Sequence, residues 1–218
     1  PDDALDLLDH DRYNRMTLQT ARGCPYSCEF CAASMRLSPF YRVKPVTNVI
    51  AEIHHIKEFQ HEPFIDFADH NTFVNKRHGK ELMRALKHEN VRWFTETDVS
   101  VAEDDELLAL MRDAGCVQVL IGFEGTTRAE LAGVEQKADW KAQHVDDYMA
   151  AIDKIQGYGI SVNGCFVLGM DNDGPECFQN VVDFVRDSGL YDVQITILTP
   201  FPGTPLYEQA LREERIIE

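Results

Sequence analysis

The sequence predicts an α/β fold, a six-unit partial barrel, (β/α)6, built on parallel strands. Three observations carry this. Strand-like and helix-like stretches alternate at the ~30-residue spacing of a βα repeat. The strand candidates are short and mostly apolar, as strands buried on both faces of a parallel sheet are. The chain has 218 residues, which leaves room for six units where a closed eight-unit barrel takes about 250. From the pattern alone, a doubly wound open sheet is the alternative.

The strand candidates are Arg15–Ala21, Phe64–Ala68, Val91–Thr97, Val117–Glu124, Ser161–Gly169 and Val193–Pro200. Four apolar stripes at helical spacing lie between them. Val46, Val49, Ile50 and Ile53 form the first. Leu107, Leu108, Met111 and Ala114 form the second, stopped by Gly115. Val145, Tyr148, Ile152 and Ile155 form the third, ending near Gly157 and Gly159. Phe178, Val181, Val182 and Val185 form the fourth, ended by Gly189. All four are expected to face the core. Six βα units in succession argue for a parallel sheet wrapped by helices.

An apolar content of 44% is enough for one sizeable core. No run of about 18 apolar residues exists, so no membrane span is expected, and no signal peptide is visible. The chain opens at Pro1 on an acidic stretch, Asp2 to Asp11, without an initiator methionine. Residues 1–14 are therefore read as a linker from a preceding domain, and 15–218 as the core domain. The net charge of −16 weighs against nucleic acid as substrate, because phosphate binding needs clustered Lys and Arg.

The chemistry concentrates in Cys24, Cys28 and Cys31, within Ala21-Arg22-Gly23-Cys24-Pro25-Tyr26-Ser27-Cys28-Glu29-Phe30-Cys31. Three soft ligands on one loop suit a cubane iron–sulfur cluster, which normally takes four. A structural zinc site is the plain alternative, but zinc prefers a closed tetrahedron and no Cys or His follows closely. Six cysteines in a chain this long are too dilute for a disulfide framework. Cys116, Cys165 and Cys177 read as small buried hydrophobes.

The Cys-x-x-x-Cys-x-x-Cys spacing, with aromatic Phe30 before the last cysteine, resembles the signature of radical S-adenosylmethionine (radical SAM) enzymes. The resemblance implies that Cys24, Cys28 and Cys31 hold a [4Fe–4S] cluster whose fourth iron takes the amino and carboxylate groups of S-adenosylmethionine. An electron from the cluster then cleaves the sulfonium to methionine and a 5′-deoxyadenosyl radical. The same resemblance implies a TIM-like partial barrel of six units.

In parallel barrels, active groups cluster at the carboxyl ends of strands, and the cysteines directly follow the first strand. The other strand ends carry candidates of their own. Phe67-Ala68-Asp69-His70-Asn71 offers Asp69, and less strongly His70; a plain turn explains the same residues. By resemblance, Asp69 holds the methionine amino group. Thr95-Glu96-Thr97-Asp98 offers two carboxylates on one side of the strand, with Asp98 alternatively capping a helix beginning near Glu103. Ile121-Gly122-Phe123-Glu124-Gly125 resembles the family's Gly-x-Glu element, in which Glu124 contacts the ribose or amino-acid part of the cofactor. The run from Asn163 to Asp173 resembles the strand along the adenine. There the backbone of Val167 pairs with the base, and Phe30 packs nearby.

Met170-Asp171-Asn172-Asp173 departs from the family's usual Gly-x-Pro-x-Glu ending and is similar to a variant in a branch related to hopanoid methylases. Pro202-Gly203-Thr204-Pro205 resembles a hallmark of cobalamin-linked members; rigidity alone explains it. The implied reading is a radical SAM core serving cobalamin-dependent methylation of a small or lipid-like substrate, with cobalamin held by a domain before the barrel. An electron donor such as flavodoxin or ferredoxin, and a reducing, cytoplasmic setting, go with it. The alternatives are a methylthiotransferase-like enzyme acting on tRNA and a non-catalytic module holding iron–sulfur or zinc.

Overall fold

In the computed structural model, residues 5–9, 12–33, 40–135 and 139–217 are described. Six strands form one parallel sheet. They are β1 (Met16–Leu18), β4 (Phe64–Phe67), β5 (Arg92–Thr97), β6 (Cys116–Glu124), β7 (Ser161–Leu168) and β8 (Asp192–Ile197), paired in that order. Each crossover advances one strand in the same direction. A right-handed crossover repeated in one direction keeps every helix on one face, whereas a doubly wound sheet reverses its order part-way. The strand order thus selects the partial barrel over the open doubly wound sheet.

The expected first strand, Arg15–Ala21, is two pieces. After β1 the chain leaves the sheet, and β2 (Ala21–Arg22) pairs antiparallel with β3 (Arg42–Val43) as a separate ribbon. The other five strands match expectation within a few residues. The helices are α1 (Val46–Phe59), α2 (Lys76–Leu86), α3 (Asp105–Asp113), α4 (Arg128–Leu131), α5 (Trp140–His144), α6 (Tyr148–Gly157), α7 (Cys177–Ser188) and α8 (Pro205–Arg212). Four correspond to the apolar stripes. The sequence reading did not pick out α2, whose first turn is polar and which carries Gly79. Asn75 caps it by accepting from the His78 amide at 3.1 Å.

The core lies between the sheet and its helices. Trp93 is wholly buried, tilts against Phe67 at 5.1 Å and donates to the Ala114 carbonyl at 2.8 Å, so its one polar atom is satisfied. Phe123, Tyr148, Phe166 and Phe184 form a second aromatic group, with Phe123 and Tyr148 4.8 Å apart. The fourth stripe is only partly a core face. Val181 is buried, but Phe178 and Val182 are 62% and 55% exposed. They lie one helical turn apart on the side turned away from β7.

Residues 1–4 and 10–11 of the expected linker, which include Pro1, Asp2 and Asp11, lie outside the described residues. Within the rest, Leu5–Leu7 forms a 3-10 turn, and Leu5 and Leu8 pack against the core. That part of the expected linker belongs to the folded body.

Candidate active site

The cysteine loop starts where β1 stops, and four separate elements fasten it. Asp69, just past β4, accepts from the backbone amides of Thr20 at 2.8 Å and Ala21 at 3.0 Å. It also accepts from the hydroxyls of Thr20 and Thr72. Further along, Cys28 forms an antiparallel bridge with Glu135, and the Glu29 amide donates to the Val134 carbonyl at 3.2 Å. The Leu206 amide donates to the Glu29 carbonyl at 3.3 Å. This bond comes from the first turn of α8, which Thr204 caps by accepting from the Tyr207 amide. The Pro-Gly-Thr-Pro turn therefore docks the loop as well as starting a helix. Finally, the Tyr26 hydroxyl bonds to Asp98 past the end of β5, and burial together with that carboxylate pushes the phenol up to about 12.

Strand alternation decides what faces the barrel interior. On β5, Trp93, Thr95 and Thr97 are buried on the helix side, while Glu96 is exposed toward the interior. Leu120 and Gly122 on β6, Cys165 and Val167 on β7, and Thr196 on β8 join Glu96 on the wall of one cavity of about 730 Å³. The cavity sits over the carboxyl ends of the strands. Its rim includes Cys24, Cys28, Phe30, Cys31, Glu124 and Lys141.

Glu124 is held in an unusual way. Its register slips against β7, where Gly122 pairs with Cys165 and Glu124 with Phe166, so Phe123 is the extra residue of a bulge. Phe123 turns into the core, and Glu124 adopts a left-handed backbone, φ +66°. A non-glycine residue pays for that conformation, and here the side chain gains two things. Its carboxylate folds back over Gly122, where a Cβ would stand 2.4 Å from Oε1. It also accepts from Lys141 Nζ at 2.7 Å, and the same ammonium donates to the Gly122 carbonyl at 2.8 Å. Burial disfavours the Lys141 charge, but the Glu124 carboxylate more than offsets this and holds the ammonium charged well above the ordinary lysine range.

Cys24, Cys28, Cys31, Phe30, Glu124 and Val167 all line this cavity. Asp69 does not. It is 2% exposed, and four donors occupy its oxygens. The side chain turned back to organise the Thr20–Ala21 backbone instead of facing the cavity, and its neighbours His70 and Asn71 reach the wall. Asp69 is thus a fastener of the cysteine loop. Asp98 caps the 3-10 turn Val99–Glu103 by accepting from the Ser100 amide at 2.8 Å, and it also reaches the cavity. Asp104 caps the α-helix that follows. Cys116 and Cys177 are buried as expected. Cys165 is not a core residue, because it sits on the interior face of β7 and lines the cavity.

Lys141 and Glu135 were missed from the sequence. A signal existed for Lys141: it lies four residues before Val145 in line with the stripe Val145, Tyr148, Ile152 and Ile155. A lysine on a core-facing stripe calls for a buried partner. Glu135 left no comparable signal, since its place depends on a bridge to Cys28 over a hundred positions away.

The donor chemistry fits a cubane. All six cysteines are free thiols, and three of them share one wall. Among the described residues, no group of three His, Cys, Asp or Glu side chains is arranged to hold a single metal ion. Burial pushes the Cys28 thiol up to about 12, partly countered by Lys141, and raises Cys24 as well.

The model of the radical SAM superfamily matches residues 18–185. The chain belongs to the radical SAM superfamily. Members of this superfamily are enzymes that use a [4Fe–4S] cluster and S-adenosylmethionine. This radical SAM chain is 28% identical over 232 residues to a hopanoid C-2 methylase of Rhodopseudomonas palustris, covering 100% of the chain and 42% of the relative. It is 25% identical over 209 residues to a bacteriochlorophyllide d C-12(1)-methyltransferase of Chlorobaculum tepidum, covering 94% of the chain and 45% of the relative. The chain spans less than half the length of these curated relatives. Among solved structures it is similar to TsrM, a radical S-adenosylmethionine methyltransferase from Kitasatospora setae with cobalamin and a [4Fe–4S] cluster bound. There the TM-score is 0.84 at 18% identity, over 94% of this chain and 41% of that one.

Proposed function

We propose that this radical SAM chain is the catalytic core of a cobalamin-dependent methyltransferase acting on a small or lipid-like substrate. One observation carries the reading: Cys24, Cys28 and Cys31 share a single cavity with Glu124 and Val167 at the carboxyl end of a partial barrel. The three thiolates would hold the [4Fe–4S] cluster. When bound, the cluster supplies the electron that splits the sulfonium of S-adenosylmethionine. Glu124, with a carboxylate at the cavity wall, accepts from the ribose hydroxyls or the ammonium of that molecule. Val167 offers backbone groups to the adenine, and Phe30 offers an apolar face beside it. The apolar stretches of wall, Leu120 and Leu198, keep water from the reacting atoms. The names of the relatives support methylation, and the cobalamin bound in the TsrM structure supports its use here, held outside this core. A flavodoxin- or ferredoxin-type donor and a reducing compartment complete the proposal.

The test is direct. The cluster is reconstituted anaerobically, reduced and mixed with S-adenosylmethionine, and 5′-deoxyadenosine is measured. Wild type is expected to form it, and Cys28→Ala to form none. Product from the Cys28→Ala variant would overturn the ligand assignment.

A further inference from the structure

We propose that Lys141 is a positioning residue for the S-adenosylmethionine site, acting through Glu124 and tying it to the cysteine loop. The inference rests on the assignment of Glu124 above and goes a step further into how that carboxylate is held. Three facts lead to it. Lys141 Nζ donates to Glu124 Oε1 at 2.7 Å and to the Gly122 carbonyl at 2.8 Å, so it clamps both ends of the Gly-Phe-Glu bulge. Both side chains of the pair are 11% exposed, which shields them from the screening that makes surface pairs weak. The Lys141 amide in turn donates to Glu135 Oε2 at 2.9 Å, and Glu135 bridges Cys28.

A chain of direct contacts therefore runs from a cluster cysteine through Glu135 and Lys141 to Glu124. Without Lys141, Glu124 keeps its left-handed backbone but loses the only cation within salt-bridge distance of its carboxylate among the described residues. The carboxylate then turns toward water in the cavity, away from the place where it meets a ligand. Glu124 touches the cofactor in this scheme, and Lys141 sets its direction.

A double-mutant cycle on the full-length protein with reconstituted cluster tests this. S-adenosylmethionine is titrated against the reduced protein, and affinity is read from the change in its EPR spectrum; iron content and melting temperature are recorded alongside. Lys141→Met is expected to weaken affinity about 10–100-fold, the loss usual when the partner that orients a site ligand is removed. In a Glu124→Gln background the same substitution should change affinity less than about twofold, because a residue acting through another has nothing left to orient. A merely structural role would reduce affinity in both backgrounds.

Equal losses in the two backgrounds, or wild-type affinity in Lys141→Met, overturn the proposal. Where Lys141→Met alone does not fold, the double variant removes both charges together and is compared with Glu124→Gln: equal affinities support the proposal, and a further loss overturns it. Glu124→Gln titrating like wild type sinks the assignment of Glu124 together with the role of Lys141. A normal response of wild type and a loss in Glu124→Gln, with no effect of Lys141→Met, sinks the role of Lys141 alone.

Discussion

Besides the Lys141 bond, Glu124 needs the space that the residue two positions before it leaves open. A Cβ on Gly122 would stand 2.4 Å from Oε1, so Gly122→Ala must swing the carboxylate out. Losing the orientation of a site ligand typically costs about 10–100-fold, and a loss of that order in S-adenosylmethionine affinity is expected with folding intact. Calorimetric titration checks it. Asp69 gives a different outcome. Asp69→Ala strips two buried amides of their acceptor, and bonds to a charged group are worth about 1.5–3 kcal/mol each. Stability measured by urea denaturation should fall by about 3–6 kcal/mol, and the cluster should be lost more readily. The two carboxylates were equally visible in the sequence at two strand ends. Only the register of the bulge and the turn after β4 separated the one facing the cavity from the one facing the backbone, and neither is written in local spacing.

Element by element, the strands and the stripe-bearing helices were legible because burial imposes a period on them. The two short ribbon strands, α2, α4 and α5 were not, because they are short or carry no clear apolar stripe, although Asn75 caps α2 and a Thr127–Glu130 capping box starts α4. Gly79 shows the point within α2. Glycine costs a helix interior about 1 kcal/mol against alanine, yet a Cβ here would stand 2.7 Å from the buried Phe73 ring. Overpacking costs about 1–3 kcal/mol, so Gly79→Ala should lose about 1–2 kcal/mol on chemical denaturation despite its better propensity.

The seam between α2 and α3 is electrostatic on its outside. Lys80 and Arg84 meet Glu106, and Lys87 meets Asp113. The bond from Lys80 holds the Glu106 carboxyl below its ordinary value, and Arg112 followed by Lys87 does so for Asp113. Carboxyls depressed in the folded state add stability that is full above their unfolded values and is lost as pH falls through the folded ones. Melting temperature should therefore drop on acidification below the ordinary carboxylate range, and added salt should shrink that drop.

At the scale of the whole molecule, the chain is a sheet with one finished end and one open one. The β1 side carries α1 and the packed Leu5 and Leu8. The β8 side leaves Ile195 and Ile197 47% and 65% exposed, with Phe178 and Val182 bare on α7. Exposed apolar residues in such numbers promote association. Phe178→Glu with Val182→Lys should reduce concentration-dependent light scattering of the isolated chain while shifting stability by less than about 0.5 kcal/mol.

The fastening of the cysteine loop has its own consequence. Its start and middle are stitched to four distant elements by backbone and carboxylate bonds between protein groups. The fastening of this nest thus rests on protein groups rather than on the metal. Bleaching by oxygen should then be a reversible injury: iron and sulfide return to a receptacle that never melted, with no refolding between damage and repair.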